Sequence, residues 1–151
     1  SITSTPMITP ESSDEPQVLL RYDGRTLVLF NRAEEDELNI LNLSFVQETE
    51  EGDIVFRADE WEFGTGDLRA MRPHDCYQVW TLDWINLPLN KFPSEICVNR
   101  QGIFQTSRSF WIGAELGLTF EVWRGSQVLA VCQTAEEDIE VEIRCAVDIR
   151  P

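Results

Sequence analysis

Val18-Leu19-Leu20-Arg21-Tyr22-Asp23-Gly24-Arg25-Thr26-Leu27-Val28-Leu29-Phe30 decides how this chain is read. Two runs rich in β-forming side chains flank Asp-Gly. That dipeptide between such runs is the strongest short-range hairpin signal, because both central residues of a type I′ turn need positive φ. The same pattern continues along the chain. Residues 40–46 read as a strand, and Ile54-Val55-Phe56 follow an acidic turn. Cys76-Tyr77-Gln78-Val79-Trp80 is dense in β formers, and residues 118–123 and 127–132 flank a second tight hairpin at Arg124-Gly125-Ser126. In residues 140–147, Val141, Ile143, Cys145 and Val147 alternate with Glu140, Glu142 and Arg144, the pattern of a strand with one buried face. No stretch keeps a helical period through three turns. Short strands with turn chemistry between them imply an all-β fold, an antiparallel β-sandwich or barrel. The core expected from these faces contains Leu27, Leu29, Phe45, Val79, Phe120, Val122, Val141 and Ile143.

Two connections are long for a compact sandwich. Residues 59–73 carry Trp61, Phe63, Gly64, Gly66 and Met71, and residues 81–93 carry Trp84, Pro88 and Pro93. Both are expected to pack over one end of the sandwich through their aromatics. Residues 1–16 are rich in Ser and Thr and contain Pro6, Pro10 and Pro16. Such a segment cannot offset its ordering entropy by burial and reads as a disordered or extended tether. Residues 17–151 form the β domain, and a chain of 151 residues is the size of one domain with a tail. The chain has no initiator Met and no visible signal peptide, so it reads as a processed or excised piece.

The formal net charge is −15, which repels phosphate backbones and argues against nucleic acid and anionic lipid as partners. No apolar run reaches the roughly 18 residues of a membrane span, so direct membrane insertion is not expected. Lys91 is the single lysine, and arginine supplies every other basic side chain. Arginine makes forked contacts to carboxylates, which suits an acidic surface that needs internal neutralisation. Four cysteines, Cys76, Cys97, Cys132 and Cys145, give an even count with no Cys-x-x-Cys pair, so neither structural zinc nor a redox motif is indicated. Two disulfides in an oxidising compartment fit the acidic, tethered, all-β chain, with four buried thiols as the alternative. Sequence order favours Cys76–Cys97 and Cys132–Cys145. The second would be a facing pair across an antiparallel turn centred near residues 138 and 139. A pairing of Cys76 with Cys132 or Cys145 is the rival.

Catalytic constellations are hard to find. His74 is the only histidine, and no Gly-x-Ser-x-Gly elbow is present. His74 and Cys76 could share a strand face as a nucleophile pair, but Cys76 also has a disulfide role. Gly64-Thr65-Gly66 lacks the later glycine and the helix of a phosphate loop. No cofactor is implied. Three acidic runs lie in expected turns, and Glu34, Asp36, Glu136 and Asp138 would form a cation site if those turns clustered at one end; solvated turns are the plainer reading. Trp61 and Trp84 sit in the irregular connections, where exposed aromatics would contact a sugar or a protein partner, although core packing is the plainer reading for each. Asn42-Leu43-Ser44 is a glycosylation triplet placed within an expected strand, which argues against its use.

Leu27-Val28-Leu29-Phe30-Asn31-Arg32, a charged turn and Leu41-Asn42-Leu43-Ser44-Phe45-Val46 resemble the opening of a lamin-tail-type domain. Arg72-Pro73-His74-Asp75-Cys76-Tyr77-Gln78-Val79 is similar to that family's turn into a strand. Phe110-Trp111-Ile112 and Thr119-Phe120-Glu121-Val122-Trp123-Arg124-Gly125 resemble its closing strand and hairpin. The resemblance implies an immunoglobulin-like β-sandwich used as a non-catalytic interaction or surface module, and it carries over no site residues. The expected function is therefore an extracytoplasmic, secreted or cell-surface module that binds a protein partner or self-assembles. A carbohydrate-binding module is the alternative, and a hydrolase is ranked last.

Overall fold

The computed structural model describes residues 17–63, 66–82, 97–113 and 117–149; the expected tether at 1–16 and Trp84 lie outside them. Asp23 closes the first hairpin through its own side chain. Its N–H donates to Thr26 O at 3.0 Å, and its Oδ1 accepts from the N–H groups of Arg25 at 2.9 Å and Thr26 at 3.2 Å. Neither Asp23 nor Gly24 has positive φ, so the expected type I′ turn gives way to an Asx-type turn. The glycine serves close approach instead. Gly24 N–H donates to Ile139 O at 2.8 Å, and its carbonyl accepts from Asp138 N–H at 3.0 Å. A Cβ at position 24 would lie 2.0 Å from Glu136 O. At the second hairpin Gly125 does take a left-handed conformation, at φ 59°.

Among the described residues, eleven strands follow in chain order: β1 (Val18–Tyr22), β2 (Thr26–Asn31), β3 (Leu43–Thr49), β4 (Gly52–Arg57), β5 (Asp75–Thr81), β6 (Asn99–Thr106), β7 (Ile112–Gly113), β8 (Thr119–Arg124), β9 (Gln127–Gln133), β10 (Ala135–Glu136) and β11 (Ile143–Val147). A 3₁₀ turn at Ala58–Phe63 is the one helical element among the described residues. The strands form a five-stranded sheet ordered β11-β1-β2-β5-β6, a four-stranded sheet ordered β4-β3-β8-β9, and the short β10-β7 pair. The all-β reading holds. The antiparallel reading also holds for both large sheets, apart from the edge strand β6, which runs parallel to β5; the short β7-β10 pair is parallel too.

The inner faces of the two large sheets meet in one core. Val18, Leu20, Tyr22, Leu27, Leu29, Tyr77, Val79 and Val147 come from the first sheet; Phe45, Phe56, Phe120, Val122 and Cys132 come from the second. Trp61, Phe110 and Trp111 enter from the connections and complete an aromatic cluster, with Phe45 stacked on Phe110 at 4.7 Å and Phe56 edge-on to Trp61 at 5.3 Å. Of the expected core, Leu27, Leu29, Phe45, Val79, Phe120 and Val122 are fully buried. Ile143 is half-buried, and Val141 is 65% exposed, contrary to expectation. The alternation of 143, 145 and 147 is real, but β1 ends at Tyr22, paired with Ile143, so residues 140–142 have no ladder to join.

Both favoured disulfides are present. Cys76–Cys97 spans 5.9 Å between Cα atoms, and Cys132–Cys145 spans 5.8 Å. The expected geometry of the second is wrong. Cys132 lies on β9 and Cys145 on β11, which belong to different sheets, so the bond crosses the sandwich instead of joining facing strands.

Gly24→Ala is expected to lower urea-measured stability by about 3 kcal/mol, since backbone rather than a flexible side chain must move. An unchanged midpoint would show that residues 136–139 do not rest on the hairpin. Replacing Cys132 and Cys145 together by Ser is expected to cost about 3 kcal/mol in the same assay, and a neutral result would contradict an inter-sheet staple.

Candidate functional site

Among the described residues, those expected from sequence to contact a ligand or a cation do not come together. Trp61 is 1% exposed and donates its indole N–H to Gln78 O at 3.1 Å, so it cannot present a face to a ligand. Trp84 lies outside the described residues. Glu34 and Asp36 follow the end of β2, where Asn31 Nδ2 donates to Asp36 O at 3.1 Å, whereas Glu136 and Asp138 abut Gly24 before its start. The length of β2 separates the two pairs, about 20 Å at the rise of an extended strand. Among the described residues no group of three or more His, Cys, Asp or Glu side chains is placed to hold a metal ion. Cys76 is bonded to Cys97, which leaves no thiol beside His74. The His74 ring instead stacks on Phe30 at 5.9 Å, with Nε2 3.5 Å from Glu34 Oε2.

A different surface emerges on the outer face of the four-stranded sheet. Strand alternation sends Phe120 and Val122 inward and Glu121 and Trp123 outward. The register sets Arg57, Ser44, Trp123 and Val128 side by side across the four strands, and next to them Val55, Val46, Glu121 and Val131. Val55, Val128 and Val131 are 38%, 40% and 59% exposed. Trp123 is half-buried, unlike Trp61, Trp80 and Trp111, which are buried. Its Nε1 donates to Glu121 Oε1 at 3.1 Å, which draws the indole along the strand toward its same-face neighbour. Beside this row opens a cleft of about 350 Å³ with Asn42, Ser44, Arg57 and Asp59 in its lining. Arg57 Nε donates to Asp59 Oδ1 at 3.2 Å, and its Nη2 to Oδ2, a forked pair at the rim. Asn42 itself sits exposed in a turn ahead of β3, so the strand objection to its triplet does not hold.

No protein-family model matches this chain, and no curated protein or solved structure is significantly similar to it. The site has to be read from its own geometry. The signal for Trp123 was present in the sequence as its alternation with Phe120 and Val122, which puts it on Glu121's side of the strand. A larger groove, of about 1010 Å³, opens between Glu35, Asp36 and Arg72. It carries charges of both signs, and Arg72 is already turned to Asp75 at 3.1 Å.

The most perturbed carboxylate lies elsewhere. Arg21 is 3% exposed on the outer face of the five-stranded sheet, and its Nε and Nη2 donate to Glu142 Oε2 and Oε1, both at 2.9 Å. Arg144 Nε adds a bond of 2.6 Å. The Arg21 hydrogen bonds, helped by Arg144 and opposed by burial, lower the Glu142 pKa from 4.5 to about 2. The carboxylate neutralises a buried guanidinium, which is a structural duty. Because the folded pKa lies below the unfolded one, its stabilisation is complete above about pH 4.5 and is lost as pH falls toward 2. Glu142→Gln is expected to be less stable than the native chain at neutral pH and to lose stability less steeply across that acid window. An unaltered acid slope in urea titrations would refute the assignment.

Proposed function

We propose that this chain is a non-catalytic binding module that works outside the cytoplasm and docks its partner on the outer face of the β4-β3-β8-β9 sheet. The observation that carries this reading is the outer face itself: Trp123 beside Val128, with Val55, Val46 and Val131 in the neighbouring row, apolar side chains left partly in contact with water beside a polar cleft. Exposed aromatic and aliphatic groups gathered on one face mark interaction surfaces. Two disulfides support an oxidising compartment. No helix among the described residues is long and apolar enough to cross a membrane. The lamin-tail-like strand pattern fits the same use, as an immunoglobulin-like frame that displays a surface to a partner. That partner is another protein, a neighbouring subunit or a carbohydrate chain.

The test is retention of the purified native chain by the envelope fraction of the cells that make it. The native chain is expected to be retained, and Val131→Glu to weaken retention about tenfold, equivalent to about 1.4 kcal/mol, without a change in melting temperature. Absence of retention, or retention indifferent to position 131, overturns the reading.

A further inference from the structure

We infer that the partner docked on this face is an uncharged carbohydrate chain, with Trp123 as its stacking platform and the adjoining cleft as its hydrogen-bonding edge. The inference rests on the binding-face reading above and names its ligand.

A pyranose ring offers an apolar C–H face bounded by hydroxyl groups. A site that recognises it needs a flat apolar surface with donors and acceptors at its margin. Trp123 meets the first need. Its single polar atom is already bonded to Glu121 at 3.1 Å, so what the half-buried indole can offer a ligand is its apolar ring rather than its N–H. Burying an aromatic ring against a ligand brings a large apolar gain without a stranded N–H. The second need is met by its cross-strand neighbours. Ser44 is opposite Trp123 on one side and opposite Arg57 on the other, so hydroxyl, guanidinium and indole follow one another in a single row. Asp59 is tied to Arg57 at the rim, and a carboxylate with about four acceptor sites keeps capacity for a hydroxyl after taking two arginine bonds. Asn42, exposed in its turn, adds an amide with both donor and acceptor.

Size and charge select among ligands. The cleft of about 350 Å³ is at the lower end of the range for small-molecule sites, roughly 300–1,000 Å³. A protein partner needs roughly 800 Å² of matched surface per side, whereas here Glu121 interrupts the valine row between Val46 and Val131. The charge of −15 opposes a second copy of this chain and, at long range, anionic glycans; of the two arginines in the cleft lining, Arg57 is paired with Asp59 and Arg124 is turned to Ile149 O. An uncharged oligosaccharide meets neither obstacle.

The experiment is calorimetric titration of the full chain with cello-, xylo-, manno- and fully N-acetylated chito-hexaose, with heparin as the anionic control. At least one neutral hexaose is expected to bind and to perturb tryptophan fluorescence. Trp123→Ala should weaken it at least tenfold, Trp123→Phe less, and Asp59→Asn several-fold; Trp123→Phe keeps the test valid if the alanine variant folds poorly. Binding that ignores all three substitutions overturns the site. The envelope assay separates the two readings. Loss of retention after periodate oxidation of the envelopes supports the carbohydrate. Retention that survives periodate but not protease, with no hexaose bound, overturns the carbohydrate while leaving the binding face standing.

Discussion

Everything at one end of the sandwich depends on the backbone of residue 24 being reachable. The chain leaves the four-stranded sheet at Gln133 and must enter the five-stranded sheet at Ile143, and it crosses over the β1–β2 turn to do so. Gly24 grips that crossing with both of its main-chain groups, to Ile139 and Asp138. Asp23 O accepts the Trp111 indole N–H at 2.9 Å, and Ala135 N–H donates to Trp111 O at 2.8 Å, so the same crossing is held from the core side. The Tyr22 hydroxyl reaches Gln133 O, which adds a bond between the sheets. The Cys132–Cys145 bond then brackets the whole crossing. A side chain at position 24 would push against main chain at all three neighbouring positions, which is why the hairpin tolerates Asp-Gly for a reason unrelated to turn type.

The two large sheets are not equivalent in burial. In the five-stranded sheet, β2 is buried along its whole length, and Val28, Phe30 and Cys76 form a second apolar cluster on the side away from the main core. Even the polar groups there are consumed internally: Gln78 Nε2 donates to Thr26 Oγ1 at 3.0 Å, and Thr26 Oγ1 to Val79 O at 2.8 Å. The centre of that sheet has no surface to offer. The four-stranded sheet is buried on one face only, and its outer face keeps an aromatic ring, aliphatic side chains and a polar margin in contact with solvent. A scaffold with one saturated sheet and one open sheet holds its candidate site on strands rather than on loops.

Alternation and turn chemistry made most strands legible from sequence, because one buried face leaves a period of two. What they could not convey was partnership. β6 reads as polar chain and was not anticipated; it exists because β5 accepts a parallel neighbour. Val141 carries the right alternation but has no strand opposite it. The pairing of Cys132 with Cys145 followed from sequence order, yet the facing-strand geometry did not, since nothing local says that β9 and β11 belong to different sheets. The candidate site was the least legible part. Trp61 looked available because it lies in an irregular connection, but that connection folds its indole into the core. Trp123 lies in a strand, and its parity places it on the outer face. Exposure of an aromatic depends on which face its strand buries, and that is a tertiary fact.

β9 shows how the staple and the open face coexist on a single strand. Cys132 must point inward to reach Cys145, and strict alternation would then send Val128 inward as well. The register breaks between Val122 and Trp123, so that Val122 pairs with Ala130 and Trp123 with Val128. Leu129 and Ala130 both pack against the core, and the extra residue reverses the parity of the strand's first half. Val128 is thereby returned to the outer face directly beside Trp123. One inserted residue reconciles a covalent tie between sheets with an uninterrupted row of outward side chains, and without it Val128 would leave the row where the indole most needs an apolar neighbour.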